Sequence, residues 1–265
     1  MTWTIDILHY ATGEVPEAQV RFQAGFDAWA TFHFHAFLLR DGERNVLIDC
    51  GIDNHAPFNA MLLAGLGERG LLRPAAPGTT VRSLLAERQL SPEDIDVVAL
   101  THLHIDHVAN APMFPRARFL MSAEGYRRHR ALAERLPEMV PDPTFPAEAI
   151  DFLGEPGAGR LELVVDGPTP LPGLSIRYVG GHTADCSAYL AETAIGTVVF
   201  PSDTVWTYRN LQQCHPPGSV VDVAQAYTTL RWVAGLDAVI LPPHEPHLAA
   251  ALAGASDPAT AGKGI

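Results

Sequence analysis

Thr101-His102-Leu103-His104-Ile105-Asp106-His107 follows directly on the apolar run Val97-Val98-Ala99-Leu100, and the reading of this junction decides the fold. A short β-branched and aliphatic run that stops in a polar, histidine-rich turn reads as a buried strand delivering side chains at its C-terminal end. His102 and His104 are two positions apart, so in an extended or tightly turned backbone their imidazoles point to one side and can grip one cation. Asp106 and His107 come next and would crowd that cation, which leaves them free to serve a second. A solvated loop that happens to hold several histidines is the plain alternative.

Three further side chains of metal-binding type each lie just after a strand-like run, the context in which the histidine turn also lies. His182 follows Tyr178-Val179-Gly180-Gly181, Asp203 follows Val198-Val199-Phe200-Pro201-Ser202, and His244 follows Val239-Ile240-Leu241-Pro242-Pro243. His247 competes with His244 but stands three residues further from its strand. This agreement of context argues against a histidine-rich accident.

The H-x-H-x-D-H pattern with these partners resembles the metallo-β-lactamase superfamily, over most of the 265 residues. The resemblance implies an α/β fold, a four-layer αββα sandwich of two face-to-face sheets with helices outside; strands followed by helices recur in both halves, as that architecture requires. It implies that His102, His104 and His182 hold one metal, that Asp106, His107 and His244 hold the other, and that Asp203 bridges both. Two Zn2+ are the implied cofactors, and Fe, Mn or Co suit the same nitrogen and oxygen donors. Zinc ions about 3.5–4 Å apart can share a hydroxide whose pKa falls to near neutrality. Asp49, in Asp49-Cys50-Gly51 at the end of a strand, is implied to support the metal site from behind the ligands; its bland reading is an aspartate closing a turn.

Among the branches, zinc β-lactamases with a cysteine ligand would place it where this chain has Asp203. Glyoxalase II enzymes carry a second Gly-His after the histidine turn, where Asp185-Cys186 stands here. Locally the chain is most similar to N-acyl homoserine lactonases, through Asp203-Thr204-Val205-Trp206-Thr207-Tyr208-Arg209-Asn210-Leu211. Those enzymes place a tyrosine three residues after the aspartate; this chain places Trp206 there and Tyr208 two positions later. The expected function is a metal-dependent hydrolase opening a small lactone or ester by attack of a metal-bridging hydroxide, with Asp106, Asp203, Trp206 and Tyr208 as catalytic candidates. Thioester, cyclic amide or β-lactam hydrolysis is the alternative on the same fold, and a di-iron redox protein is the more distant one.

At 265 residues and 47% hydrophobic content the chain can bury a large core, and residues 1–265 are expected to form one domain. The formal charge of −12 repels polyanions, so a small-molecule substrate is expected and nucleic acid is not. Cys50, Cys186 and Cys214 form no C-x-x-C pair or disulfide framework, which suits a reducing cytoplasm. No signal peptide is read at the N-terminus, and no run approaches the ~18 apolar residues of a membrane span. A soluble, cytoplasmic protein is expected; its oligomeric state stays open, a homodimer included.

Strands are expected over Thr4–Leu8, Thr31–Arg40 and Asn45–Cys50, the last two joined by the turn Asp41-Gly42-Glu43, with 11–30 irregular. His33 and His35 share one face of that hairpin and are held in reserve as pocket residues. Residues 54–72 read as a short helix or flap, 80–90 as helical, and Ser91-Pro92-Glu93-Asp94 as a capped turn. A strand is expected over 117–121, a helix over 122–136 capped by Ser122, and an ordered loop walling the pocket over 137–159. Short strands at 161–165, 174–179, 186–191 and 197–201, a helix over 220–234, a last strand at 238–241 and a frayed tail over 254–265 complete the reading.

Overall fold

The computed structural model describes residues 2–136, 144–154 and 158–255. Its first sheet contains β1 (Thr4–Pro16), β2 (Trp29–Arg40), β3 (Asn45–Ile48), β4 (Arg73–Pro74), β5 (Val97–Ala99), β6 (Arg118–Ser122) and β7 (Leu161–Val164), in the order β4-β1-β2-β3-β5-β6-β7. The second contains β8 (Gly167–Pro168), β9 (Leu174–Tyr178), β10 (Ser187–Thr193), β11 (Gly196–Phe200) and β12 (Val239–Ile240), in the order β12-β11-β10-β9-β8. Helices α1 (Glu17–Val20), α2 (Ala56–Leu66), α3 (Val81–Ala86), α4 (Ile105–Val108), α5 (Ala123–Arg135), α6 (Ala147–Gly154), α7 (Tyr208–Gln212), α8 (Val223–Ala234) and α9 (Leu248–Ala255) connect them.

Alternation along the strands builds the layers, because successive side chains of a strand leave opposite faces of the sheet. Phe37 and Leu39 of β2, Val46 and Ile48 of β3, and Leu120 of β6 meet Ile176, Tyr189, Val198 and Phe200 of the second sheet in one core between the sheets. The intervening residues Phe34, Ala36, Leu38, Leu47, Val98 and Phe119 face outward and pack with Phe58 of α2, Leu85 of α3 and Leu153 of α6. Behind the second sheet, Leu230 and Val233 of α8 close over Val205 and Ile240. These three cores separate four layers, the αββα sandwich expected from the sequence.

Several boundaries differ from expectation. β1 continues through the stretch read as irregular, as far as Pro16 opposite Trp29, after a bulge between His9 and Ala11 that shifts the register. The bulge interrupts the period-two pattern on which the sequence reading depends, and pairing with β2 outweighs the poor strand propensity of Gly13 and Pro16. Within the expected loop over 137–159, α6 buries Ala149 and Leu153 one turn apart. Of that loop, 137–143 and 155–157 lie outside the described residues, as does the tail from 256. α2 realises the helical reading of 54–72, and Ser122 caps α5 by accepting the Gly125 N–H. Among the described residues no helix is long and apolar enough to cross a membrane.

Candidate metal centre

β5, β9, β11 and β12 all end at the same edge of the sandwich, and the seven residues singled out from the sequence occupy the loops and short helical turns that follow them, Asp106 and His107 within α4. His102, His104, His182 and Asp203 offer ligand atoms within 4.8 Å of one another; Asp106, His107, Asp203 and His244 form a second such group. Asp203 belongs to both. His247 joins neither, and instead acts electrostatically on the ring of His33.

The imidazoles are held from behind. The Nδ1 of His107 donates to Asp49 at 2.7 Å, that of His182 to the Ser219 carbonyl at 2.5 Å, and that of His244 to the His33 carbonyl at 2.9 Å. A proton fixed on Nδ1 leaves a lone pair on Nε2, and the three Nε2 atoms stand 3.2, 3.5 and 3.2 Å from the Asp203 carboxylate. The Nε2 atoms of His102 and His107 and Oδ1 of Asp203 are buried with no hydrogen-bond partner. Buried polar atoms are rarely left unpaired, so convergent orphan nitrogens and a carboxylate oxygen fit a divalent cation.

Electrostatics agree with this fit. Burial pushes the imidazoles of His102, His104 and His182 down, His104 to about 3, so they are neutral donors at neutral pH. At His107 burial acts in the same direction, but the carboxylates of Asp203, Asp106 and Asp49 overcome it and raise the imidazole well above its ordinary value. Burial likewise opposes ionisation of Asp203, yet His244, His107 and His102 hold its carboxyl well below the usual range. The centre therefore concentrates ionised carboxylates where positive charge stabilises them.

Sequence reasoning missed three supports. Tyr10 donates its hydroxyl to the Asp106 carbonyl at 2.6 Å, and the buried carboxylate of Asp185 accepts the Leu103 N–H at 2.8 Å between the first two histidines. Ser219 anchors His182 through its backbone. Each acts across a long sequence separation, and only the position of Asp185, three residues after His182, offered a local signal. Asp49, by contrast, takes the position implied for it: it accepts from the Thr101 N–H and hydroxyl, both at 2.8 Å, as well as from His107. Its φ of 56° sets the carboxylate at this junction. Asp49→Asn is expected to weaken metal binding at the Asp106-His107-His244 group by about 10–100-fold, because an amide no longer fixes the His107 tautomer. Metal titration of the variant measures this, and unchanged affinity would leave Asp49 a purely structural residue.

A cleft of about 120 Å³ opens over the two groups. Phe32, Phe34, Phe58, Met61 and Leu72 form its walls, with Trp206 beside His182 and His244 at ring-centroid distances of 5.7 Å. The indole N–H of Trp206 is buried and unpaired. Tyr208, the other substrate-contact candidate, stands apart: its hydroxyl donates to the Ile240 carbonyl at 2.9 Å and it lines no part of the cleft. Phe145, from the expected wall loop, reaches the His104 ring at 4.8 Å. His33 and His35 turn away from the cleft and meet His9 in a third group of three.

Comparison with known proteins agrees with this architecture. The chain is 25% identical over 178 residues to an N-acyl homoserine lactonase of Bacillus cereus, covering 66% of this chain and 65% of that protein, so it spans slightly less than two thirds of the relative's length. A 42-residue stretch is 52% identical to a probable metallo-hydrolase of Methanocaldococcus jannaschii, covering 16% and 21% of the two chains. A crystal structure of an N-acyl homoserine lactone hydrolase with N-hexanoyl-L-homoserine at its catalytic metal centre superposes with a TM-score of 0.72 at 18% identity, covering 93% of this chain and 95% of that one. A probable metal-dependent hydrolase from Staphylococcus aureus gives a TM-score of 0.71 at 18% identity, covering 92% and 89%. AidC, a dizinc quorum-quenching lactonase, gives 0.63 at 16%, covering 92% and 87%. Residues 34–213, which carry six of the seven converging side chains, Asp203 among them, and the supporting Asp49, match the family model as well, and the chain belongs to the metallo-beta-lactamase superfamily.

Proposed function

We propose that this protein is a dinuclear metal-dependent hydrolase that opens a small, largely uncharged lactone or ester. The observation that carries the reading is the single carboxylate of Asp203 shared by two histidine groups at the floor of an apolar cleft. His102, His104 and His182 would hold one ion, Asp106, His107 and His244 the other, and zinc suits this donor set. When bound, such ions supply Lewis acidity toward both a water molecule and the carbonyl under attack.

The chain's own groups do the rest. The aromatic and aliphatic walls orient an apolar substrate over the centre and exclude bulk water. Hydrolysis joins the water oxygen to the acyl carbon, breaks the ring or ester C–O bond and leaves an alkoxide that needs a proton. Among the described residues no tyrosine lines the cleft, and the Trp206 N–H can donate a hydrogen bond but cannot give up its proton. The carboxylates of Asp106 and Asp203 are therefore the groups placed to carry the water's proton to the leaving oxygen.

Metal analysis with a substrate panel of lactones, esters, thioesters, β-lactams and phosphodiesters tests the reading. About two ions per chain and fastest turnover on a lactone or ester are expected; full activity with one ion, or faster phosphodiester turnover, would overturn it. Trp206→Tyr is expected to raise homoserine lactone turnover by roughly tenfold, since it adds a phenolic proton donor at the cleft. Tyr208→Phe should leave turnover unchanged. Loss of activity in Tyr208→Phe with no gain in Trp206→Tyr would reverse their roles.

A further inference from the structure

We infer that His9, His33 and His35 form a separate three-nitrogen site for a divalent transition-metal ion, distinct from the centre built on Asp203. The β1–β2 ladder brings the three together: His9 lies opposite His35 in the register, and His33 and His35, two positions apart, leave the same face of β2. The bulge that follows His9 falls at this point of the strand. Ligand nitrogens of the three rings lie within 4.8 Å of one another, with the His9 and His33 rings stacked at 4.2 Å. Two nitrogens on one tetrahedral zinc are ~3.4 Å apart, given Zn–N bonds of about 2.1 Å, so closure needs only small ring movements.

The far nitrogens of two rings are already committed, as those of metal-bound histidines generally are. Nδ1 of His35 donates to the Pro243 carbonyl at 2.8 Å, which leaves its Nε2 lone pair free; Nε2 of His9 lies 3.0 Å from the Ala11 carbonyl, which leaves Nδ1 free. Among the described residues the His33 ring makes no hydrogen bond to protein, although its backbone does. His35 is buried, while His9 and His33 are partly exposed and give an ion a way in. Three imidazoles without a carboxylate select zinc, copper, nickel or cobalt over magnesium and calcium.

The position gives the site a role. The His33 carbonyl accepts from His244, and His35 holds the carbonyl of Pro243, so an ion across β1 and β2 would fasten the loop that carries His244. This stands apart from the hydrolase reading, since it concerns different nitrogens and can be measured without substrate.

The test is zinc titration of the holoenzyme, with bound metal counted by elemental analysis and Tm recorded, against the double variant His9→Gln, His33→Gln. The wild type is expected to take up one more equivalent than the double variant and to gain Tm as it does so, while the variant keeps its other metal. Magnesium should give no such uptake. Equal zinc counts throughout the titration, or an extra equivalent that persists in the double variant, would overturn the site. Should the double variant fail to fold, His9→Gln alone serves: its uptake of the extra equivalent is expected to need at least tenfold more zinc, and an unchanged binding curve would refute the assignment.

Discussion

Asp203→Asn is expected to lower hydrolytic turnover by at least about a thousandfold, a loss of about 4 kcal/mol in transition-state stabilisation, and to remove at least one metal ion per chain. The size of the effect follows from the residue's place in both ligand groups, which no other carboxylate shares: Asp106 belongs to one alone. An amide there takes away a negative charge that the histidines hold ionised, and leaves one oxygen donor where two served. The Nε2 atoms of His102 and His107, which have no hydrogen-bond partner and stand 3.9 and 3.2 Å from this carboxylate, would then face a neutral group. Far-ultraviolet circular dichroism should remain close to wild type, because Asp203 sits in a single 3-10 turn after β11 and not in the sheet cores. Retention of both ions and of turnover within tenfold would mean that the two groups do not share this carboxylate, and the dinuclear reading would fall with it.

The part of this centre legible in the sequence is the part with local patterning. Val97–Leu100 is a continuous apolar run because β5 is paired on both sides and covered on both faces, and such a strand must end where its backbone meets solvent or ligand. Short apolar runs likewise precede His182, Asp203 and His244, although β12 is an edge strand paired only with β11, so the seven converging residues could be read as strand ends. What escaped was nonlocal. Tyr10 and Asp185 act at the centre through hydrogen bonds spanning 96 and 82 residues; Tyr10 belongs to no pattern that spacing reveals, and Asp185 offers only its place three residues after His182. The continuation of β1 past His9 was hidden by a bulge, which shifts the inward-facing set by one position. The fate of Tyr208 was decided by tertiary packing: it opens α7 and turns its hydroxyl toward β12, while Trp206, two residues earlier in an extended segment, faces the cleft. His33 and His35 were correctly placed on one face, but the third partner across the ladder depended on a register that only the pairing defines.

Stripping the protein of metal with a chelator is expected to abolish activity and to lower Tm by roughly 10 °C. The cause lies in the fold and not only in the chemistry: Asp49, Asp106 and Asp203 are buried close together around His107, and unpaired nitrogens of His102 and His107 are sealed beside them. Such a cluster is costly without a cation, so the ions bind the folded chain far better than the unfolded one. At free metal about a thousand times the dissociation constant that linkage is worth about 4 kcal/mol, which for a chain of this size corresponds to a shift of roughly 10 °C. Zinc, manganese or cobalt should restore both stability and turnover, and magnesium should restore neither, because imidazole-rich sites disfavour it. Repeating the measurement in the His9→Gln, His33→Gln background isolates the contribution of the seven-residue centre from that of the three-histidine site. A Tm that does not move on chelation in that background, with activity retained, would show that the buried carboxylates and imidazoles satisfy one another and need no ion.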